Sequence, residues 1–112
     1  MKYKIFLTAG ASGDIVEIWR YIALNDSVSA ADRIKEALRK TIEELVAMPQ
    51  RGHVPPELER IGVCGYHEVH YKPYRIIYFI REDEVFVIAV FDGRRDIQEV
   101  LVRRCFRMNN ID

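Results

Sequence analysis

The sequence has 112 residues, 49% of them hydrophobic and 30% charged, with 17 basic and 17 acidic side chains. This length and composition predict one folded domain over residues 1–112 with a core of its own. Zero net charge argues against attraction of the whole molecule to nucleic acid, and strand-sized apolar runs exclude a membrane-spanning helix. The first ten residues become polar too soon for a signal peptide, so we expect a cytoplasmic protein.

Three histidines, His53, His67 and His70, lie within 18 positions and raise the question of a metal site. Cys64 and Cys105 stand alone rather than in a CxxC pair, so we expect free thiols and neither a zinc site nor a redox pair. His67 and His70 lie three residues apart in a predicted strand, where an odd separation places side chains on opposite faces. A metal shared by these two imidazoles is therefore not expected, and no cofactor is predicted.

The chain begins with a predicted strand and helix. Residues 2–8 alternate as a strand does, and Thr8 or Ser12 is suited to cap the helix that follows. Its apolar residues recur at helical spacing, and the polar pair Asn25–Asp26 ends it.

A second helix begins at Ser27 or Ser29 and ends before Pro49. The short connection predicts an antiparallel helical hairpin, and its apolar faces need a sheet to pack against. We expect Trp19 to lie in the core. The residues predicted to be buried are Ile15, Trp19, Ile22, Ile34, Leu38 and Ile42.

The second half predicts a proline-rich loop over residues 49–64, then strands over 66–72, 74–81 and 84–91, and a helix over 97–106. The strand at 84–91 is apolar on both faces, so we expect it to be central together with its neighbour at 74–81. The order β-α-α-β-β-β-α predicts an α+β fold, an antiparallel sheet with the N-terminal helical hairpin packed on one face.

Arginines follow or interrupt these strands. Arg94 and Arg95 come directly after the last strand, and Arg75 lies within the preceding one. A packed sheet would hold such cations rigidly for an anionic or polar partner. The alternatives are a solvated strand end for Arg94 and Arg95, and for Arg75 an ion pair with Glu68 or Asp92.

Several short motifs recur in an order that resembles the RelE/ParE superfamily of toxins from type II toxin–antitoxin (plasmid stabilization) systems. The strongest match is Tyr74-Arg75-Ile76-Ile77-Tyr78, followed by Gly93-Arg94-Arg95-Asp96 after a β run. The other matching motifs are Trp19-Arg20-Tyr21-Ile22-Ala23, Met48-Pro49 with Arg51-Gly52, Pro56-Glu57-Leu58 and Gly65-Tyr66-His67-Glu68-Val69.

The resemblance implies a cognate antitoxin, similar to ParD or RelB, that covers the toxin with an amphipathic helix and an extended segment. It implies a homodimer when the antitoxin is absent. The residues expected to bind the target or the antitoxin are Arg75, Arg94, Arg95, Arg103 and Arg104.

One branch of the superfamily, similar to RelE, consists of ribosome-dependent mRNA endonucleases. In-line attack of a 2′-hydroxyl on the adjacent phosphate needs cations and a group that moves protons. In this branch Arg75, Arg94 and Arg95 would supply the cations. His67 or His70 would have to replace the tyrosine or histidine that these nucleases carry near the C-terminus.

The other branch, similar to ParE, inhibits DNA gyrase by binding. Residues 93–112 contain neither tyrosine nor histidine, Leu101 lies about where the tyrosine would be, and Asp92 lies where many relatives have histidine. The missing proton carrier favours the gyrase inhibitor. A degenerate, non-toxic binding module of the same fold is the remaining alternative.

Overall fold

A computed structural model describes residues 2–109, in which a four-stranded sheet carries helices on both faces. Two 3₁₀ turns, Glu44–Val46 and Pro49–Arg51, follow the second helix. The elements are β1 (Lys4–Leu7), α1 (Ala9–Asn25), α2 (Val28–Glu43), α3 (Pro56–Glu59), β2 (Tyr66–Tyr71), β3 (Tyr74–Arg81), β4 (Glu84–Asp92) and α4 (Gln98–Asn109). The predicted α+β class is confirmed, and the predicted elements occur in the predicted order, with the short α3 inside the loop.

The strands lie in the order β1-β4-β3-β2, so the two strands predicted to be central are central. β2, β3 and β4 pair antiparallel, as expected. The prediction of an antiparallel sheet is wrong for β1, which pairs parallel with β4, Lys4 opposite Glu84 and Leu7 opposite Val87. A strand joined to its neighbour by a long connection can enter in either direction, and side-chain alternation does not encode which.

Side-chain caps fix where the two long helices begin. The Thr8 hydroxyl accepts a hydrogen bond from the Ala11 N–H at 3.2 Å, and the Ser27 hydroxyl accepts one from the Ala30 N–H at 3.0 Å. Each cap satisfies a backbone donor that has no partner inside its helix. Thr8 and Ser27 are therefore the caps, rather than Ser12 and Ser29.

The helical hairpin covers one face of the sheet. Leu38 is fully buried between α2 and the strands. The buried cluster on this face consists of Ala11, Leu38, Ile42, Leu45, Val69, Tyr74, Ile76, Tyr78, Val85, Val87 and Val90. The predicted packing of the hairpin against the sheet is thus confirmed.

The opposite face is covered by α3 and α4. A bulge between Ile77 and Tyr78 leaves Ile88 as an extra residue in β4, and both Ile88 and Ala89 contribute to the cluster on this face. The other members of that cluster are Leu58, Tyr66, Ile77, Phe91, Ile97, Leu101 and Cys105. No helix within residues 2–109 is long and apolar enough to cross a membrane.

Trp19 does not lie in the core, contrary to the prediction. Its indole N–H donates a hydrogen bond to the Asp32 carboxylate at 2.8 Å, at the outer edge of the helical hairpin. The face of α1 that meets the sheet contains Ala11, Ile15 and Ile18, and Trp19 is rotated about 100° from Ile18. Trp19 therefore joins α1 to α2. Three other residues predicted to be buried, Ile15, Ile22 and Ile34, are only partly so.

We expect Leu38→Ala to lower the free energy of unfolding by about 2–5 kcal/mol, because it opens a cavity in a closed core. Trp19→Ala should cost less, since it removes one hydrogen bond and only partial burial. Urea unfolding followed by circular dichroism measures both. A larger loss for Trp19→Ala than for Leu38→Ala would contradict this assignment of the core.

Candidate functional site

A cleft of about 380 Å³ opens between α1 and the adjoining ends of β3 and β4. Tyr74 and Asp92, which pair across these two strands, lie at its base, and the segment after β4 forms its rim. The residues that line it are Asp14, Glu17, Ile18, Tyr21, Tyr74, Val90, Phe91, Asp92, Arg94 and Arg95.

Arg94 is fixed at this rim by Asp92. Its guanidinium donates to both carboxylate oxygens, at 2.9 and 2.6 Å, and its backbone N–H donates to one of them at 2.9 Å. These bonds lower the pKa of the Asp92 carboxyl. A Cβ added at Gly93 would lie 2.9 Å from the Pro73 carbonyl oxygen, so only glycine fits between Asp92 and Arg94. Even so, the Arg94 side chain is 75% exposed.

Arg95 is the cation of this rim that remains available. Its backbone N–H donates to the Asp92 carbonyl at 3.1 Å, which orients the turn. Its side chain is exposed and forms no ion pair within residues 2–109. A partner that brings a carboxylate or another acceptor to the mouth of the cleft would therefore meet a guanidinium whose charge is not yet compensated.

The cleft as a whole is close to neutral. Three carboxylates and two guanidiniums line it, and Arg104 just outside pairs with one of those carboxylates, that of Asp14. The phenol of Tyr21 is 68% exposed, and burial raises the pKa of the Tyr74 phenol, so that hydroxyl stays protonated at neutral pH. The cleft therefore offers both hydrogen-bond donors and acceptors, and charges of both signs, rather than a concentration of positive charge.

Arg75 does not line this cleft. Its guanidinium lies between two carboxylates. It donates to Glu57 at 2.7 and 2.6 Å and to Glu68 at 2.7 and 3.1 Å. Its side chain is only 13% exposed. Of the two alternatives for a structural Arg75, the pair with Glu68 is present, whereas Asp92 pairs with Arg94. Arg75 therefore holds α3 to β2 and β3.

Two arginines of α4, Arg103 and Arg104, also form ion pairs. Arg104 donates to the Asp14 carboxylate at 3.0 and 2.9 Å and to the Ile88 carbonyl at 2.8 Å, with its guanidinium over the Phe91 ring. It ties α4 to α1 and β4. Arg103 is exposed and pairs with Glu99 one turn earlier, at 2.8 Å.

The histidines of β2 lie on opposite faces, as their spacing indicates. His67 stacks on the Tyr78 ring with centroids 5.5 Å apart, and burial lowers its pKa. His70 lies with its Nε2 3.1 Å from Glu68 Oε1 on the other face. Neither lines the cleft. The structure thus brings Arg94 and Arg95 together and leaves Arg75, His67 and His70 elsewhere.

Sequence reasoning anticipated Glu68 as a partner of Arg75 but missed two other carboxylates, Glu57 and Asp14, and the aromatic residue at the cleft, Tyr21. Glu57 and Asp14 lie 18 and 90 residues from their partners, Arg75 and Arg104, so no local pattern links them. The exposure of Tyr21 could have been predicted from the sequence, because it is an aromatic residue on α1 that lies off the apolar stripe.

Similarity to known proteins identifies the family of this chain. The model of the family described as "ParE toxin of type II toxin-antitoxin system, parDE" matches residues 5–97. The chain belongs to this family. The prediction of a RelE/ParE superfamily toxin is therefore confirmed.

The relatives of this ParE family member agree with the assignment. It is 22% identical over 101 residues to Toxin ParE3 of Caulobacter vibrioides, covering 90% of this chain and 97% of the relative. Among solved structures it resembles a chromosomal ParDE system from P. aeruginosa, with a TM-score of 0.69 and 13% identity over 81% of this chain and 96% of the other.

Structures from the RelE branch also share the fold. The RelBE2 toxin–antitoxin complex of Mycobacterium tuberculosis matches with a TM-score of 0.61 and 21% identity, over 82% of this chain and 99% of the other. A mutant of E. coli RelE in the free state matches with a TM-score of 0.62 and 19% identity, over 96% and 99%. At these identities the solved structures establish the fold, and the family model supplies the ParE assignment.

The Glu57–Arg75 pair of this ParE family member predicts a pH dependence. Hydrogen bonds from Arg75 lower the pKa of Glu57 below its ordinary 4.5. A carboxyl with a depressed folded-state pKa stabilises the fold above its unfolded pKa and loses that stabilisation as pH falls through the folded value. We expect Glu57→Gln to be less stable than the parent at pH 7, with the difference shrinking below pH 4.5.

Urea unfolding between pH 7 and pH 3 measures this difference. Glu59→Gln is the control, because Glu59 is exposed on the same short helix and forms no ion pair within the described part of the chain. A stability difference between Glu57→Gln and the parent that is constant over the whole range would contradict the prediction.

Proposed function

We propose that this chain is the toxin of a type II toxin–antitoxin pair and that it inhibits DNA gyrase by binding rather than by catalysis. Family membership supports the first part. The observation that supports inhibition by binding is the cleft beside α1, which presents Arg94 and Arg95 at its mouth and has no histidine in its lining.

The charges of the cleft favour a protein target over RNA. RNA is a polyanion, and proteins that bind it present an excess of lysine and arginine along its path. Here Asp14, Glu17 and Asp92 lie beside Arg94 and Arg95, and Arg104 compensates Asp14. A mixed lining with an exposed aromatic residue, Tyr21, suits a protein surface that offers both acidic and basic groups.

A ribonuclease would need a proton carrier next to these cations, and such a group contributes about 10²–10⁴-fold to the rate. His67 is stacked on Tyr78 and His70 is bound to Glu68, both away from the cleft. The Tyr74 phenol has a raised pKa, which makes it a poor base at neutral pH. The ribonuclease therefore remains the weaker of the two candidate activities.

The decisive experiment assays the purified protein in parallel on gyrase supercoiling and on translating ribosomes. We expect inhibition of supercoiling without mRNA cleavage. Arg94→Ala and Arg95→Ala should each raise the half-inhibitory concentration about fivefold or more, the loss expected for an interface residue that contributes more than about 1 kcal/mol.

Arg33→Ala is the matched control, because Arg33 is an exposed arginine of α2 that does not line the cleft. Codon-phased mRNA cuts that disappear in His67→Ala or His70→Ala would overturn the proposal in favour of the ribonuclease. Activity in neither assay would indicate the degenerate, non-toxic module.

We further propose that a cognate antitoxin packs into an apolar groove between β1, α1 and α2. The groove has a volume of about 510 Å³, and its apolar residues are Leu7, Ile15, Val16 and Ile42. Leu7 and Val16 are exposed in the isolated chain. Charged side chains at the groove rim, Lys35 among them, suit an amphipathic helix with polar flanks. Without the antitoxin, we expect the same surface to form a homodimer.

Val16→Glu tests the groove by placing a charge on its apolar surface. Copurification with the antitoxin encoded beside the toxin gene should be lost, and the antitoxin should no longer protect cells from toxicity. Val28→Glu is the control, because Val28 is also exposed but does not line the groove. Equal loss of copurification in both variants, or in neither, would place the antitoxin elsewhere.

A further inference from the structure

A second cluster of functional side chains lies at the opposite side of the sheet from the helical hairpin, outside the cleft. His53, Glu68 and His70 meet there, with every ligand atom within 4.8 Å of the others. His70 Nε2 is 3.1 Å from Glu68 Oε1, and His53 Nδ1 is 3.8 Å from Glu68 Oε2. We propose that this cluster is a binding site for a divalent transition-metal ion of the zinc type. The proposal is independent of the target of the toxin.

The separations suit such an ion. Zinc held by nitrogen and oxygen at about 2.0–2.1 Å in a tetrahedron places its ligand atoms about 3.3 Å apart. The two distances to Glu68 lie on either side of that value, and the imidazole rings of His53 and His70 have centroids 5.1 Å apart. His53 Nδ1 lies 3.3 Å from the Val54 carbonyl oxygen and His70 Nε2 lies 3.1 Å from Glu68 Oε1. Both imidazoles are exposed, so exchanging these contacts for an ion does not disturb the core.

The local charge also favours a cation. Glu57 and Glu68 share the guanidinium of Arg75, so Glu68 has no cation to itself. Glu68 is 1% exposed, and burying an incompletely compensated carboxylate is costly. The Glu68 carboxylate faces the imidazoles of His53 and His70, whose ring nitrogens are potential metal ligands. A metal ion would compensate it where solvent cannot.

The scaffold holds the three ligands in place. His53 and Glu68 form a backbone bridge, with N–H to carbonyl distances of 3.1 and 2.7 Å. The approach of this loop to β2 requires Gly52, since a Cβ there would lie 2.5 Å from the Tyr78 hydroxyl oxygen. That hydroxyl donates to the Pro49 carbonyl at 2.6 Å and anchors the start of the loop. Arg75 donates to both oxygens of the Glu68 carboxylate, at 2.7 and 3.1 Å, and fixes its orientation, as hydrogen-bond partners of metal ligands do.

The donor set determines the class of ion. Two imidazoles and one carboxylate suit zinc, cobalt or nickel, whereas magnesium prefers oxygen ligands throughout. Three protein ligands leave a coordination position open for water or for a side chain of a partner. The bound ion would fasten the loop that contains His53 to strand β2. The clustering of three histidines in the sequence raised the question of a metal, but it did not identify this set of ligands, because His53 comes from the loop and Glu68 is brought to it by the fold.

The test is zinc titration by calorimetry on untagged, chelator-treated protein in a Cys64→Ser background, which removes an exposed thiol that also binds zinc. We expect one zinc ion per chain. His53→Gln and His70→Gln should each weaken binding at least tenfold. His67→Gln, which alters a histidine of the same strand on the other face, should leave the affinity unchanged.

Thermal unfolding supplies the second measurement. Because the ion binds the folded chain, saturating zinc should raise the melting temperature of the parent and of His67→Gln, but not that of His53→Gln. Magnesium at millimolar concentration should have no effect in any of them. Absence of stoichiometric zinc binding, unchanged affinity in His53→Gln and His70→Gln, or an equal loss in His67→Gln would each overturn the proposal.

Discussion

The burial of one carboxylate, that of Glu68, organises the half of the molecule opposite the helical hairpin. An ionised group removed from water needs partners, and breaking such an arrangement typically costs several kcal/mol. Arg75 from the neighbouring strand meets this need and extends to Glu57, which fixes α3. The backbone of Glu68 holds the loop at His53 in the same place. An arginine that resembles a catalytic residue in sequence is thereby part of the internal structure.

This arrangement divides the surface that remains for partners between two sides of α1. Ile18 and Tyr21 face the cleft that ends at Arg94 and Arg95, whereas Ile15 and Val16 face the apolar groove beside α2. An antitoxin helix lying in the groove contacts only one side of α1. Under the proposed placement of antitoxin and target, neutralisation of a target in the cleft would then require a further antitoxin segment that crosses α1, or a shift of the helix itself.

The elements were predictable from the sequence where one local pattern determines them. The stripe that buries Leu38 and the doubly apolar strand β4 are of this kind, whereas the sequence offered two candidates for each helix cap and the structure selected Thr8 and Ser27. The direction of β1 was not, because the same alternation fits a parallel or an antiparallel partner. Trp19 was misplaced because a rotation of one residue about α1 separates the core from the hairpin edge.

The candidate site was likewise predictable from the sequence only in part. The rim at Arg94 and Arg95 follows from a turn of four residues and was anticipated. The ion-pair partners of Arg75 and Arg104 were harder to predict, because ion pairs between distant segments depend on how the sheet faces are covered. The cluster around Glu68 required knowledge that the proline-rich loop folds back along β2, which its turn residues alone do not reveal.

The position of Trp19 has an optical consequence. It is the single tryptophan of the chain, and its indole is bonded to Asp32, whose side chain lines the apolar groove. A molecule that enters the groove and displaces this carboxylate changes the polarity around the fluorophore. The emission spectrum of the unlabelled protein therefore reports on occupancy of that surface, while a ligand confined to the far side of α1 leaves it unchanged.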